Sequence, residues 1–119
     1  MGNRLVLNFE LPTLNQIINE SKAHWAKYST PKKKFTELVK LEAIGQGLEI
    51  KEFPANFIFS WYRKNKRTDK DNIIVGQKYI LDGLVAAGLL PNDGWDHVGN
   101  LIHHFEVDKD NPRVEVMIA

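Results

Sequence analysis

Apolar and polar positions alternate with a period of two in four stretches, and three apolar stretches with helical spacing lie between them. In residues 5–11, Leu5, Leu7, Phe9 and Leu11 alternate with Val6, Asn8 and Glu10, which predicts a strand with one apolar face. Pro12 stops it. A weaker repeat at Leu14, Ile17 and Ile18 predicts a short helix reaching about Trp25. Ser29-Thr30-Pro31 places a capping hydroxyl ahead of an early proline, a helix-start signal. Phe35, Leu38, Val39, Leu41 and Ile44 carry that helix to Gly45 or Gly47. In residues 55–63, Phe57, Phe59 and Trp61 alternate with Ile58, Ser60 and Tyr62. Bulk on both faces predicts a central strand covered on both sides. A helix is expected after Asn72 as far as Ala87, with Gly88 as its C-terminal cap. Its buried stripe would be Ile74, Leu81, Leu84 and Val85. Residues 101–107 and 113–118 alternate again around the turn 108–112, which predicts a closing hairpin. The whole is an α+β pattern.

A chain of 119 residues is expected to form one domain, residues 1–119, around one modest core. Its 43% hydrophobic and 26% charged residues are ordinary for a soluble globular protein. A net charge of +1 does not by itself point to nucleic acid. The absence of cysteine excludes disulfides, a thiolate zinc site and a cysteine nucleophile. No apolar run approaches the ~20 residues that span a bilayer, and Met1-Gly2-Asn3-Arg4 lacks a signal-peptide layout. Val6 stands where an N-myristoylation motif needs Ser or Thr. The expectation is a soluble, cytoplasmic protein with no membrane partner.

The chemistry concentrates between Arg67 and Asp93. Asp69 and Asp71 are two apart, and in extended backbone such side chains share one side. Paired carboxylates repel unless a cation sits between them, and hard oxygen donors suit Mg²⁺. Arg67 and Lys70 interleave with them, behind the basic run Arg63, Lys64, Lys66, Arg67. That run is either a solvated loop or a phosphate-tracking patch, and the carboxylates that follow favour the patch. Lys32, Lys33 and Lys34 open a helix, where positive charge opposes the dipole. They are either a solvated cluster or further phosphate contacts. Lys78 lies on the margin of the expected helical stripe, one turn before Asp82 and on the side of Asp71. It pairs with Asp82, sits near the acids, or does both. Asp71 is placed to cap the helix; Asp69 has no such local role. Asp93, in the tight turn Asn92-Asp93-Gly94, or Asp96 is expected to be a third acid. Three carboxylates amid basic stretches suit metal-assisted phosphodiester hydrolysis.

Several alternatives fall away. The tetrapeptide D-K-D-N occurs twice, at 69–72 and 108–111. The second copy ends in Pro112 between strands, so its Asp and Asn are turn formers. An EF-hand would need glycine where Ile74 stands. His24, His97, His103 and His104 have no zinc spacing, and His103 and His104 face opposite sides of a strand.

The D-x-D-N element, the helix carrying K-x-x-x-D-x-L and the N-D turn ahead of the last strands together resemble the RusA-type Holliday junction resolvases. The likeness covers essentially the whole chain. Residues 78–84 (KYILDGL) and 90–95 (LPNDGW) look like the phage or prophage branch. The resemblance implies a small mixed or antiparallel sheet packed by helices, in a homodimer. It implies a Mg²⁺-dependent endonuclease, with Mn²⁺ as a substitute metal and no organic cofactor. Its substrate would be branched DNA, a four-way junction nicked symmetrically in recombination or repair, inside a bacterial or phage-infected cell. It implies metal ligands at Asp69, Asp71 and Asp93, a catalytic lysine at Lys78, and DNA contacts from the basic stretches, Lys70 included. The chain departs from the family pattern twice. The interval from D-x-D-N to Lys78 is longer by about a turn, and Asn92-Asp93 replaces two adjacent acids, leaving one ligand fewer or a role for Asp96. A nuclease for other branched DNA and a junction-binding protein without cleavage are the rival expectations.

Overall fold

The computed structural model describes residues 2–23 and 29–119, with side chains for 2–19 and 32–119. In order these form β1 (Arg4–Leu7), α1 (Leu14–Ala23), α2 (Ser29–Gly45), β2 (Ala55–Arg63), α3 (Lys70–Ile73), α4 (Gln77–Ala86), β3 (Val98–Val107) and β4 (Arg113–Ile118). A 3₁₀ turn, Ile74–Gly76, joins α3 to α4. His24, Trp25 and the side chains of Ser29, Thr30 and Pro31 lie outside the described residues.

The fold is α+β, with one four-stranded mixed sheet in the order β1-β4-β2-β3. β4 runs antiparallel to both β1 and β2, while β2 and β3 are parallel. The closing hairpin expected from residues 101–118 is therefore not formed. β2 inserts between β3 and β4, because its Phe57, Phe59 and Trp61 carry more bulk than either neighbour and burial is greatest at the centre. Those three side chains are buried with Leu5, Leu7, Val39, Ile80, Leu84 and Val116. The opposite face of β2 is only partly covered, which corrects the expectation of burial on both sides. β1 is shorter than predicted. Leu7 pairs with Val114, and β4 offers no partner before Arg113.

Helix boundaries follow local chemistry. Thr13 and Gln16 form a reciprocal capping box at the start of α1: Gln16 Oε1 accepts the Thr13 N–H at 2.8 Å, and Thr13 Oγ1 accepts the Gln16 N–H at 3.4 Å. α4 ends as expected at Gly88, whose φ of 77° lets Leu89 N–H reach back to the Leu84 carbonyl at 3.0 Å. The helix expected from Asn72 to Ala87 is interrupted. The 3₁₀ turn advances about 120° per residue rather than 100°, so it rotates the stripe of everything after it. Ile73, Tyr79, Ile80, Leu81 and Leu84 are buried, while Ile74 and Val85 are only partly so. The turn sits where Gly76 passes Trp61: a Cβ there would lie 3.1 Å from the indole.

Candidate functional site

Asp69 leaves β2's loop in extended conformation and occupies the N-cap position of α3, yet its side chain makes no capping bond. Its carbonyl caps instead, accepting the Asn72 N–H at 3.0 Å and the Ile73 N–H at 3.3 Å. Asp71 lies inside the first turn, where the helix dipole favours a negative charge. The capping position expected for Asp71 thus belongs to Asp69. Extended backbone ends at Lys70, which is already helical, so a strand does not set the relative directions of Asp69 and Asp71. Both carboxylates are exposed, and neither has a hydrogen-bond or ion-pair partner among the described residues. Asn72 is structural, since its Oδ1 accepts the Asn15 N–H at 3.2 Å and ties the start of α1 to α3.

Lys78 is held between two acids. Its Nζ lies 2.7 Å from Asp93 Oδ2 and 3.2 Å from Asp82 Oδ1. The hydrogen bond from Asp93, against the opposing effect of burial and with help from Asp82, keeps the Lys78 ammonium protonated above its usual range. Lys78 in turn holds Asp93 below the usual carboxylate range. Lys32 Nζ lies 4.0 Å from the other oxygen of Asp82. A chain of alternating charge therefore runs Lys32–Asp82–Lys78–Asp93, from the basic start of α2 across α4 to the 92–94 turn. No contact joins Lys78 to Asp71 among the described residues.

The three expected metal ligands are not gathered: among the described residues no three His, Asp or Glu side chains converge to hold an ion. Asp69 and Asp71 follow β2, whereas Asp93 lies in the turn before β3 and is engaged by Lys78. Asp96 is exposed. The Asn92-Asp93-Gly94 turn is as expected, with Asn92 Oδ1 accepting the Gly94 N–H at 2.9 Å.

The basic residues divide. Arg63 is 18% exposed and its guanidinium lies 2.9 Å from Glu10, so it serves the fold rather than an external phosphate. Lys64, Lys66 and Arg67 are exposed and lack an ion-pair partner among the described residues, in a loop tightened by Asn65 Oδ1 accepting the Arg67 N–H at 2.9 Å. Lys70 lies over the Phe105 ring at 5.3 Å. Lys33 and Lys34 are exposed, with Lys34 over the Phe35 ring at 5.5 Å. The second D-K-D-N behaves as a turn: Asp108 accepts the Asn111 N–H at 3.2 Å and pairs with Arg113 at 2.8 Å.

Sequence reasoning expected a structural or surface role for His103 but missed its partner. Trp61 Nε1–H donates to its Nδ1 at 2.9 Å, and the ring stacks on Phe59 at 5.0 Å. It also missed Trp95, which is 96% exposed. No helix among the described residues is long and apolar enough to cross a membrane. No protein-family model matches the chain, and no curated protein matches its sequence.

Proposed function

We propose that the chain is a Mg²⁺-dependent endodeoxyribonuclease of the RusA type that nicks four-way DNA junctions as a homodimer. The observation that carries this is the opposite fate of the two D-K-D-N copies. At 108–111 the first acid is neutralised by Arg113 and closes a turn; at 69–72 both acids stand exposed and without a protein partner among the described residues. Two exposed anions two residues apart, with no protein counter-ion among the described residues, are open to a bound cation. Their hard oxygens fit Mg²⁺, which is commonly held by one or two carboxylates with water completing the shell. Asp69 and Asp71 would hold the ion, which when bound supplies Lewis-acid activation of water and neutralises phosphate charge. Asp93, engaged by Lys78, would join them only by leaving that lysine. Lys78 is the cation available to developing phosphate charge. Lys32, Lys33, Lys34, Lys64, Lys66, Arg67 and Lys70 would hold the duplex arms through phosphates. The homodimer is supported by an apolar row on the partly open sheet face, Met117–Ile58–Ile102, in which Met117 and Ile102 are each 41% exposed.

Cleavage of a synthetic four-way junction with Mg²⁺, alongside Asp69→Asn, tests this reading. We expect paired nicks from the natural chain. The variant should not cleave but should bind the junction as well or more tightly, since an anion facing phosphate is gone. Retarded but uncut DNA at saturating Mg²⁺ would show a non-cleaving binder; cleavage of flaps or forks in preference to junctions would show a different branched-DNA specificity. Near-normal nicking by Asp69→Asn would remove the acids from the site.

A further inference from the structure

We propose that Trp95 is a stacking platform for an unpaired nucleobase beside the Lys78–Asp93 pair, so that the protein recognises DNA whose bases are unstacked at a branch point. This rests on the nuclease reading above and deepens it. An indole offers one of the largest apolar surfaces any side chain can bury. Trp61 is buried in the core, whereas Trp95 is 96% exposed.

The exposure is not the fraying of a loose loop. Asn92 Oδ1 accepts the Gly94 N–H at 2.9 Å and lies 3.1 Å from His97 Nδ1. The Gly94 carbonyl accepts the N–H groups of His97 at 3.1 Å and Val98 at 2.9 Å. The His97 ring packs edge-on against Phe53 at 5.2 Å. Both flanks of Trp95 are thus bonded to the fold, and the indole is displayed from a fixed turn.

The charge near the turn points to the occupant. Asp93, two residues before the indole, is bonded to Lys78, and the charge chain continues through Asp82 to Lys32 at the basic start of α2. With the exposed Lys33 and Lys34 that follow Lys32, the lysines outnumber Asp82, Asp93 and the exposed Asp96. A flat aromatic face next to cations is the combination that binds single-stranded nucleic acid: cations attract the phosphates, and each base has a face to stack. A paired base in a continuous duplex has no free face to offer, so the platform favours junction centres, flaps and single strands over blunt duplex.

The experiment uses the full chain in EDTA, where cleavage is not needed, with three probes: a four-way junction, oligothymidylate and a blunt duplex of equal length. The difference in emission between the natural chain and Trp95→Phe isolates residue 95. We expect its emission to be quenched by the junction and oligothymidylate but not by the duplex. Trp95→Ala should weaken binding to the first two by about 10-fold or more and leave duplex affinity unchanged; Trp95→Phe should keep most of the affinity. If the natural chain binds DNA but Trp95→Ala binds all three probes equally well, the platform fails and the nuclease reading stands. Equal quenching by blunt duplex, or a concentration-dependent blue shift without DNA from a second copy covering the indole, overturns it too. No binding to any DNA overturns both. Circular dichroism of Trp95→Ala checks that the fold survives.

Discussion

At the scale of single residues, Lys78 is where structural and catalytic accounts separate. Its side chain is 59% exposed, so pairing with Asp82 and Asp93 adds only the ~0.3–0.5 kcal/mol of an exposed pair, and Lys78→Ala should melt at nearly the natural temperature. If the ammonium steadies charge on phosphate, single-turnover cleavage by the same preparation should fall about 10²–10³-fold with junction affinity little changed. Unchanged cleavage with a lowered melting temperature would make it a packing residue. His103 gives a pH-dependent prediction. Burial holds the imidazole below its usual range, and its Nδ1 accepts from Trp61 only while unprotonated. Below an unfolded value of about 6.5 the unfolded chain binds more protons than the folded one. The stabilisation is therefore present above that pH and is lost as pH falls toward the folded value. Denaturant midpoints from pH 7.5 down to 5.5 should decline for the natural chain. His103→Gln keeps an acceptor for Trp61 but cannot titrate, so its decline should be shallower; parallel slopes would relieve His103 of the role.

At the scale of elements, α4 is held by two close approaches. Gly76 lets the backbone pass Trp61, and Gly83 lets α4 cross α2, where a Cβ would fall 2.5 Å from the Val39 Cβ and Cγ1. The second matters for the site, because Gly83 adjoins Asp82, the acid shared by Lys78 and Lys32. Gly83→Ala should destabilise the fold by about 1–3 kcal/mol through overpacking. Gly45, the last residue of α2, faces open space, and Ala there should stabilise by about 0.5 kcal/mol through helix propensity. Urea denaturation of both variants checks the pair of opposite signs. Equal effects would mean that the α2–α4 crossing yields easily to a methyl group.

At the scale of the molecule, the sheet buries one face under its helices and leaves the other partly open. The open face carries a polar network as well as the apolar row. Arg113 lies over the Tyr62 ring at 3.8 Å and bonds Glu115 at 2.6 Å, and Glu115 also bonds Arg4. An apolar row framed by ion pairs is the layout of an interface core with a polar rim. Sedimentation should accordingly give twice the 13.7 kDa chain mass. Ile102→Asp, at a position 41% exposed in one chain, should sediment as a folded monomer. A natural chain that sediments at the single-chain mass would leave the homodimer without support.

What the sequence by itself determined was whatever closes within a few residues. Gly88 ends α4, residues 55–63 form the dominant strand, the second D-K-D-N makes a turn, and Lys78 meets Asp82 one helical turn away. Cap bonds, alternation and i,i+4 pairs depend on neighbours that chain connectivity supplies. Only the tertiary structure decided which distant groups became neighbours. β2 displaced β3 from β4, a 3₁₀ turn at Gly76 shifted the buried stripe, Arg63 found Glu10, and Lys78 found Asp93. Each of these outcomes is a competition for burial or charge between segments far apart in the chain. A carboxylate looks the same in sequence whether or not a cation reaches it. Asp69 and Asp108 open identical tetrapeptides: Asp108 finds Arg113 five residues on in its own turn, whereas only the tertiary structure shows that Asp69 has no partner among the described residues.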